Sequence, residues 1–405
     1  MKDEGDNARQ GFTRRELLKA TGIGAAAGVL LSVEGRPGLA AAAEAELPRV
    51  PRRRLGKTGR DVPILLMGCG IHLDQRFDPK LAEALRFGVN YFDTAFSYAG
   101  GTSETAIGNF LERTGKRPEV WITTKSEKWD PKGLVETLEQ SLHKLKTNYV
   151  DLFFLHGLDD GKALTPAVAE TAERLKKEGR IKGFGFSCHD GNVAELLTQA
   201  AGLPWIDAVM FRYNFRQYGN KELNAAMDAA RRSDIGLIAM KTQGSEAGIE
   251  EAWKKFEKTG KWNKFQSVLK AVWGDPRISA AVSSMDNFDK LKENVAAAVD
   301  RHELGSREWQ ALDRYAAATR AHACDGCDHL CNPAVGAPVR IGATLRFLMY
   351  HDAYGEREEA RRLFRELPAE AQRLDGVDFG PASRVCPHGL DVAALMDRAQ
   401  RLFCG

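Results

Sequence analysis

VNYFDTA (89–95), EVWITTK (119–125) and YVDLFFLHG (149–157) are short, nearly continuous apolar runs, and each ends in or beside a reactive side chain. Working outward, the same kind of run recurs upstream as ILLMGCGI (64–71). Downstream it recurs as IKGFGFSCH (181–189), AVMFRYN (208–214), IGLIAMKT (235–242) and ISAAVSS (278–284). The intervals carry helical patterns such as GLVETLEQSLHKLK (133–146) and AVAETAERLKKEGR (167–180). Strands apolar on both faces belong to a parallel sheet covered on both sides. Eight strand–helix units over about 240 residues predict an α/β fold, the (β/α)₈ TIM barrel. An open doubly wound sheet would announce itself by G-x-G-x-x-G after its first strand, and MGCGIHLDQ (67–75) does not match.

The 405 residues allow one large domain and a smaller one. A net charge of +3 is close to neutral for this length and gives no footing for nucleic acid. No apolar run reaches the roughly 18 residues that a transmembrane helix needs.

Before the first strand, GFTRRELLKATGIGAAAGVLLSV (11–33) and GLAAAAEAE (38–46) run from a basic pair through a modest apolar stretch to small residues. That order is the order of an export signal. Thr13 to Lys19 resembles the twin-arginine signal, around Arg14-Arg15. Residues 1–46 are therefore expected to be a signal peptide and the mature protein to be periplasmic or otherwise extracytoplasmic. The barrel is expected over 47–301 and a small helical domain over 302–405.

In such a barrel the chemistry sits at the C-terminal ends of the strands. Asp93 and Tyr98 follow the second strand, Lys125 ends the third and His156 follows the fourth. On these residues the chain resembles the aldo-keto reductases: FDTAFSY (92–98), ITTK (122–125) and LFFLHG (152–157) carry the family's Asp, Tyr, Lys and His. RRLGKTGRDVPILLMGCG (53–70) is similar to the family's opening hairpin and first strand. The resemblance spans about residues 51–300. It implies an oxidoreductase that interconverts a small-molecule carbonyl and an alcohol. Tyr98 would supply the proton, Lys125 would bring its phenol toward neutrality, Asp93 would hold Lys125, and His156 would orient the substrate oxygen.

The resemblance also implies NADP(H). Ser187 and Cys188 after the fifth strand, and Met210 on the sixth, match the positions that grip the nicotinamide amide; Met240 on the seventh matches the ring-stacking position. Lys290, Glu293 and Asn294 match the clasp on the adenosine end. Cys188, Met210 and Met240 depart from the usual residues, and neither Cys nor Met replaces a fixed amide hydrogen bond.

Beyond residue 301 the strand–helix repeat stops, and CDGCDHLC (324–331) is followed by a distant Cys386-Pro387. Between them, ATLRFLMYHDAYGEREEARRLFRELP (343–368) reads as two helices with a glycine break. Close cysteines plus Cys-Pro are the signature of iron–sulfur ligation. The tail resembles the ferredoxin-like domain carried by one branch of the aldo-keto reductases, which implies one [4Fe–4S] cluster on Cys324, Cys327, Cys331 and Cys386. Ferredoxin runs have two residues between the second and third Cys; here there are three. A structural zinc, with His322, His329 or His388 in reach, and disulfides in an oxidising compartment are the other readings. An exported enzyme has no NADPH pool around it. The expectation is therefore tightly bound NADP(H), or electrons passed through the cluster from a redox partner protein. The contrasting reading is a non-catalytic exported barrel whose tail is stapled by zinc or disulfides.

Overall fold

The computed structural model describes residues 47–243, 262–318, 320, 324–353 and 355–404. The expected signal segment lies outside the described residues. Among the described residues no helix is long and apolar enough to cross a membrane.

A short antiparallel hairpin, β1 (Arg52–Arg54) and β2 (Asp61–Pro63), precedes a closed parallel barrel. Its strands are β3 (Leu65–Gly68), β4 (Tyr91–Asp93), β5 (Trp121–Ser126), β6 (Val150–Leu155), β7 (Ile181–Cys188), β8 (Ala208–Arg212), β9 (Gly236–Met240) and β10 (Ile278–Ser283). Each of the eight apolar runs coincides with one of them, β5 extending one residue past its run to Ser126. Helices α1 (Pro79–Arg86), α2 (Ser103–Thr114), α3 (Pro131–Lys144), α4 (Pro166–Lys177), α5 (Val193–Ala201), α6 (Lys221–Arg232), α7 (Lys264–Gly274) and α8 (Phe288–Val299) surround it. Capping fixes where the helices start: the Asp130 side chain accepts from Gly133 N before α3, and Thr165 accepts from Val168 N before α4. Asn192 precedes α5 but makes no side-chain cap. Its amide donates to Asp159 O instead.

Alternation along the strands sorts the core into two layers. Val209 and Phe211 of β8 face the helices, whereas Ala208 and Met210 face the barrel interior. Leu55 and Val62 of the hairpin pack into that same interior cluster, which also holds Leu66, Tyr91, Leu152 and Phe154. The hairpin thus plugs the N-terminal end of the barrel. Only the C-terminal end is left for chemistry.

The tail begins with α9 (Ser306–Ala318), whose Leu312 and Tyr315 join Phe215 and Val268 in a small cluster on the barrel's flank. Then follow α10 (Asp328–Val335), α11 (Ile341–Ala353), α12 (Arg357–Arg365), α13 (Gly380–Val385) and α14 (Val392–Phe403). Gly355, with φ +71°, makes the break between α11 and α12. These helices share their own core, including Ile341, Leu345, Phe364, Leu374 and Met396.

Candidate active site

The side chains expected at the strand ends lie one step above interior-facing residues. Tyr91 and Thr123 face inward and share a hydrogen bond of 2.6 Å. Asp93 and Lys125, two residues further along the same strands, therefore face the barrel mouth. Lys125 Nζ is 2.8 Å from Asp93 Oδ1, donates to Thr94 O at 2.8 Å and lies 3.3 Å from Tyr98 Oη. His156 follows inward-facing Phe154 by the same step, and its ring meets Tyr98 edge-on with centroids 5.5 Å apart. Asp93, Tyr98, Lys125 and His156 thus converge. Ala99, just after Tyr98, holds φ +53° and ψ +42°, a left-handed conformation costly for a residue with a Cβ. That turn brings the Tyr98 ring over Gly70, where an added Cβ would stand 3.3 Å from Tyr98 Cε2.

Burial, followed by the Asp93 carboxylate, pushes the Tyr98 phenol well above the ordinary tyrosine range. Lys125 stands between the Asp93 carboxylate and the phenol, within reach of both. Burial also raises the Asp93 carboxyl, against the pull of Lys125.

Glu127 is a site residue that the motifs did not reveal. Its Oε1 lies 2.7 Å from His156 Nδ1 and accepts a hydrogen bond from Ser97 Oγ. Burial would raise its carboxyl, but the hydrogen bond and charge of His156, with Ser97, outweigh that and hold it at about 2. Its position two residues beyond Lys125 was the available signal.

The positions matched to a nicotinamide site are arranged differently from one another. Ser187 is buried and its Oγ accepts from Gly157 N at 3.0 Å. Cys188 faces the helix layer with Phe184 and Phe186. Its thiol points to Asp190 O and Asn192 Oδ1 at 3.7 and 3.8 Å. Met210 is sealed in the barrel interior beneath Arg212, and Met240 joins the same cluster. Asn294 donates to Ser283 Oγ at 3.0 Å and accepts from Gln243 at 2.9 Å. Glu293 Oε2 accepts from Asn263 Nδ2 at 3.3 Å, and Lys290 pairs with Asp286 at 2.7 Å.

The loop beyond β7 carries the first cysteines of the tail. Gly191 N donates to Gly326 O at 2.7 Å. An added Cβ on Gly191 would meet that oxygen at 3.0 Å and Cys327 Cα at 3.1 Å. Arg212, at the end of β8, bonds Cys324 O and pairs with Asp325 at 3.5 Å.

Cys324, Cys327, Cys331 and Cys386 line one cavity, together with His388. Burial raises the thiol of Cys324 to about 12 and those of Cys327 and Cys331 to about 11. All seven cysteines are free thiols. Among the described residues no three His, Cys, Asp or Glu side chains come together closely enough to hold a single metal ion.

A closed parallel barrel with Asp, Tyr, Lys and His at its C-terminal rim is joined by sequence similarity to oxidoreductases. The profile of the aldo/keto reductase family matches residues 74–271, just under half of the chain, so the chain is similar to that family over most of its barrel. The uncharacterised oxidoreductase YqkF of Bacillus subtilis (strain 168) is 25% identical over 303 residues, which cover 65% of this chain and 96% of that one. Aflatoxin B1 aldehyde reductase member 2 of Homo sapiens is 35% identical over 148 residues, 34% of this chain and 41% of its own. The aldo-keto reductase AKR11C1 from Bacillus halodurans shares the fold, with a TM-score of 0.55 at 21% identity over 69% of this chain and 98% of that one.

Proposed function

We infer that this oxidoreductase interconverts a small-molecule carbonyl and its alcohol, that it acts after export, and that its tail holds a [4Fe–4S] cluster. The observation that carries the first part is the contact of Lys125 Nζ with both Asp93 and Tyr98 Oη, with His156 beside the phenol. Reduction leaves an alkoxide that needs a proton. The Tyr98 phenol, held protonated by burial, donates it. As the phenolate forms, Lys125 stabilises it through the hydrogen bond already present, and Asp93 keeps Lys125 in place. Glu127 engages His156 Nδ1, so Nε2 is the ring nitrogen left to meet the substrate oxygen.

Members of the family typically bind NADP(H), which supplies a hydride when bound. The matched residues here fit it poorly. Only Ser187 keeps a polar group at the amide-binding positions, Cys188 faces away, and Met210 is sealed below the rim.

The four tail cysteines fit a cluster better. They line one cavity, and a four-iron cluster is larger than a single ion, so its thiolates stand further apart than those around zinc. When bound, the cluster supplies single-electron transfer, which calls for a carrier protein as redox partner. The Arg14-Arg15 stretch supports export by the twin-arginine route, which moves folded proteins with cofactors in place.

The test is the anaerobically purified protein. Broad visible absorption that bleaches with dithionite, with about four irons per chain, is the expected result. A colourless protein that consumes NADPH with ordinary saturation would sink the cluster-fed route. Tyr98→Phe retaining full carbonyl reduction would sink the assignment of the proton donor. Cell fractionation tests export: full retention in the cytoplasm counts against it.

A further inference from the structure

Helix α11 belongs to the tail, yet one of its faces lines the barrel mouth. Arg346 and Tyr350 stand one turn apart on it. Arg346 Nη1 lies 3.5 Å from Asp190 Oδ1, just beyond β7. Lys241 Nζ donates to Tyr350 Oη at 2.8 Å, and the ammonium sits 4.3 Å from the centre of the Tyr350 ring. Lys241 directly follows β9 and holds φ +57°. Such a backbone is rare for a lysine, and strain of this kind gathers at functional sites. Lys241 follows β9, Asp190 follows β7 and Tyr98 follows β4, so Tyr350 and Arg346 are held over the same strand-end rim that carries Tyr98. Both phenols keep part of their surface accessible.

We propose that Tyr350 and Lys241 form a second oxygen-binding point in the active site, completed by the C-terminal domain, which selects carbonyl substrates bearing a hydroxyl or carboxylate oxygen near the reacting carbonyl. This rests on the reading of Tyr98 as the proton donor. The surroundings are built for an oxygen-rich ligand. Lys241, Arg212, Arg346 and His189 line a single cavity, and His189 Nδ1 is buried there with no hydrogen-bond partner among the described residues. Of the acids on the same wall, Asp190 offsets Arg346 within the cavity and Asp352 pairs with Arg398 outside it, which leaves Lys241, Arg212 and His189 as the groups facing a ligand. Burial alone would push the Tyr350 phenol up, but Lys241 and Arg346 outweigh it and bring it below the ordinary tyrosine range. A site built to pair a substrate oxygen rejects the analogue lacking it far more strongly than an apolar pocket rejects a missing methylene.

The full-length protein is compared with Tyr350→Phe on glyceraldehyde, pyruvate and propanal, using NADPH and, separately, a reduced viologen as electron source. The expected result is a loss of kcat/KM of about tenfold or more on an oxygenated probe, mostly in KM, with propanal within about twofold. A loss on glyceraldehyde identifies a hydroxyl and a loss on pyruvate a carboxylate. Equal loss on all three probes, or none on any, overturns the proposal. Dissociation constants from calorimetry make the same comparison without turnover. Probes that bind but are not converted would sink the reading of Tyr98, while the binding difference still decides the role of Tyr350. A protein that binds none of the probes overturns the proposal. Lys241→Gln, which leaves the aromatic ring in place, is expected to shift the preference in the same direction, and failure to do so also overturns it.

Discussion

Replacing Tyr98 by Phe removes one hydroxyl from a ring whose packing over Gly70 and beside His156 is otherwise kept. The loss should fall on kcat by about 10²–10⁴-fold, with little change in KM, because the hydroxyl acts on the alkoxide rather than on the bound carbonyl. Steady-state kinetics on a carbonyl probe measures the split. Glu127 makes a different prediction. Its folded carboxyl sits at about 2, below its ordinary value, so it contributes stability that is present above the unfolded carboxylate range and is lost as pH falls toward 2. Its side chain is 43% exposed, so solvent screening limits the gain to about 1 kcal/mol. Denaturant melts of wild type and Glu127→Gln should differ at pH 7 and converge as the pH approaches 2. A gap that persists undiminished at the lowest pH would show that Glu127 acts through packing instead.

At the scale of elements, the loop beyond β7 and the first cysteine loop touch backbone to backbone. Gly191→Ala puts a methyl group 3.0 Å from Gly326 O, and neither backbone can move aside as a flexible side chain would. The expected effect is a loss of about 1–3 kcal/mol with faster amide exchange across 324–331, seen by mass spectrometry. Unchanged exchange there would mean that the two loops are not coupled. The elements themselves were legible in the sequence. Parallel strands buried on both faces must be apolar throughout, and Asp130 and Thr165 stand where a cap belongs. The run 64–71 is longer than β3 because Cys69 leaves the sheet and its carbonyl accepts from Ser103 Oγ at 2.7 Å. Asp93, Lys125 and His156 could be read because period-two alternation aims them at one rim, and Tyr98 because it follows Asp93 by five residues. The pairs Lys241–Tyr350 and Arg346–Asp190 could not, since they join positions 109 and 156 residues apart, and neither spacing nor composition encodes which tail helix lies over which strand.

For the whole molecule, the two cores differ in size and hence in what they need. The barrel has an interior layer and a helix-facing layer, whereas the tail beyond Cys324 relies on one small cluster around Ile341, Leu345, Phe364 and Met396. A core that small yields only a few kcal/mol, so the proposed cluster on the four cysteines would decide whether the tail stays folded. Burial holds Cys324, Cys327 and Cys331 as thiols when nothing is bound, and metal must displace those protons. Reconstitution from iron and sulfide should therefore improve as pH rises. Stripping the metal should separate the tail's melting from the barrel's: calorimetry is expected to show a first transition lowered by roughly 10 °C or more, while the barrel's moves far less. The ion pairs Arg346–Asp190 and Arg212–Asp325, both at 3.5 Å, connect the tail to the mouth that holds Tyr98. Loss of the tail's order should then reach the site, lowering kcat/KM in the stripped protein before the barrel melts. One unshifted transition after complete metal removal would show that the helices hold the tail together without any staple, and the cysteine cavity would lose its structural role.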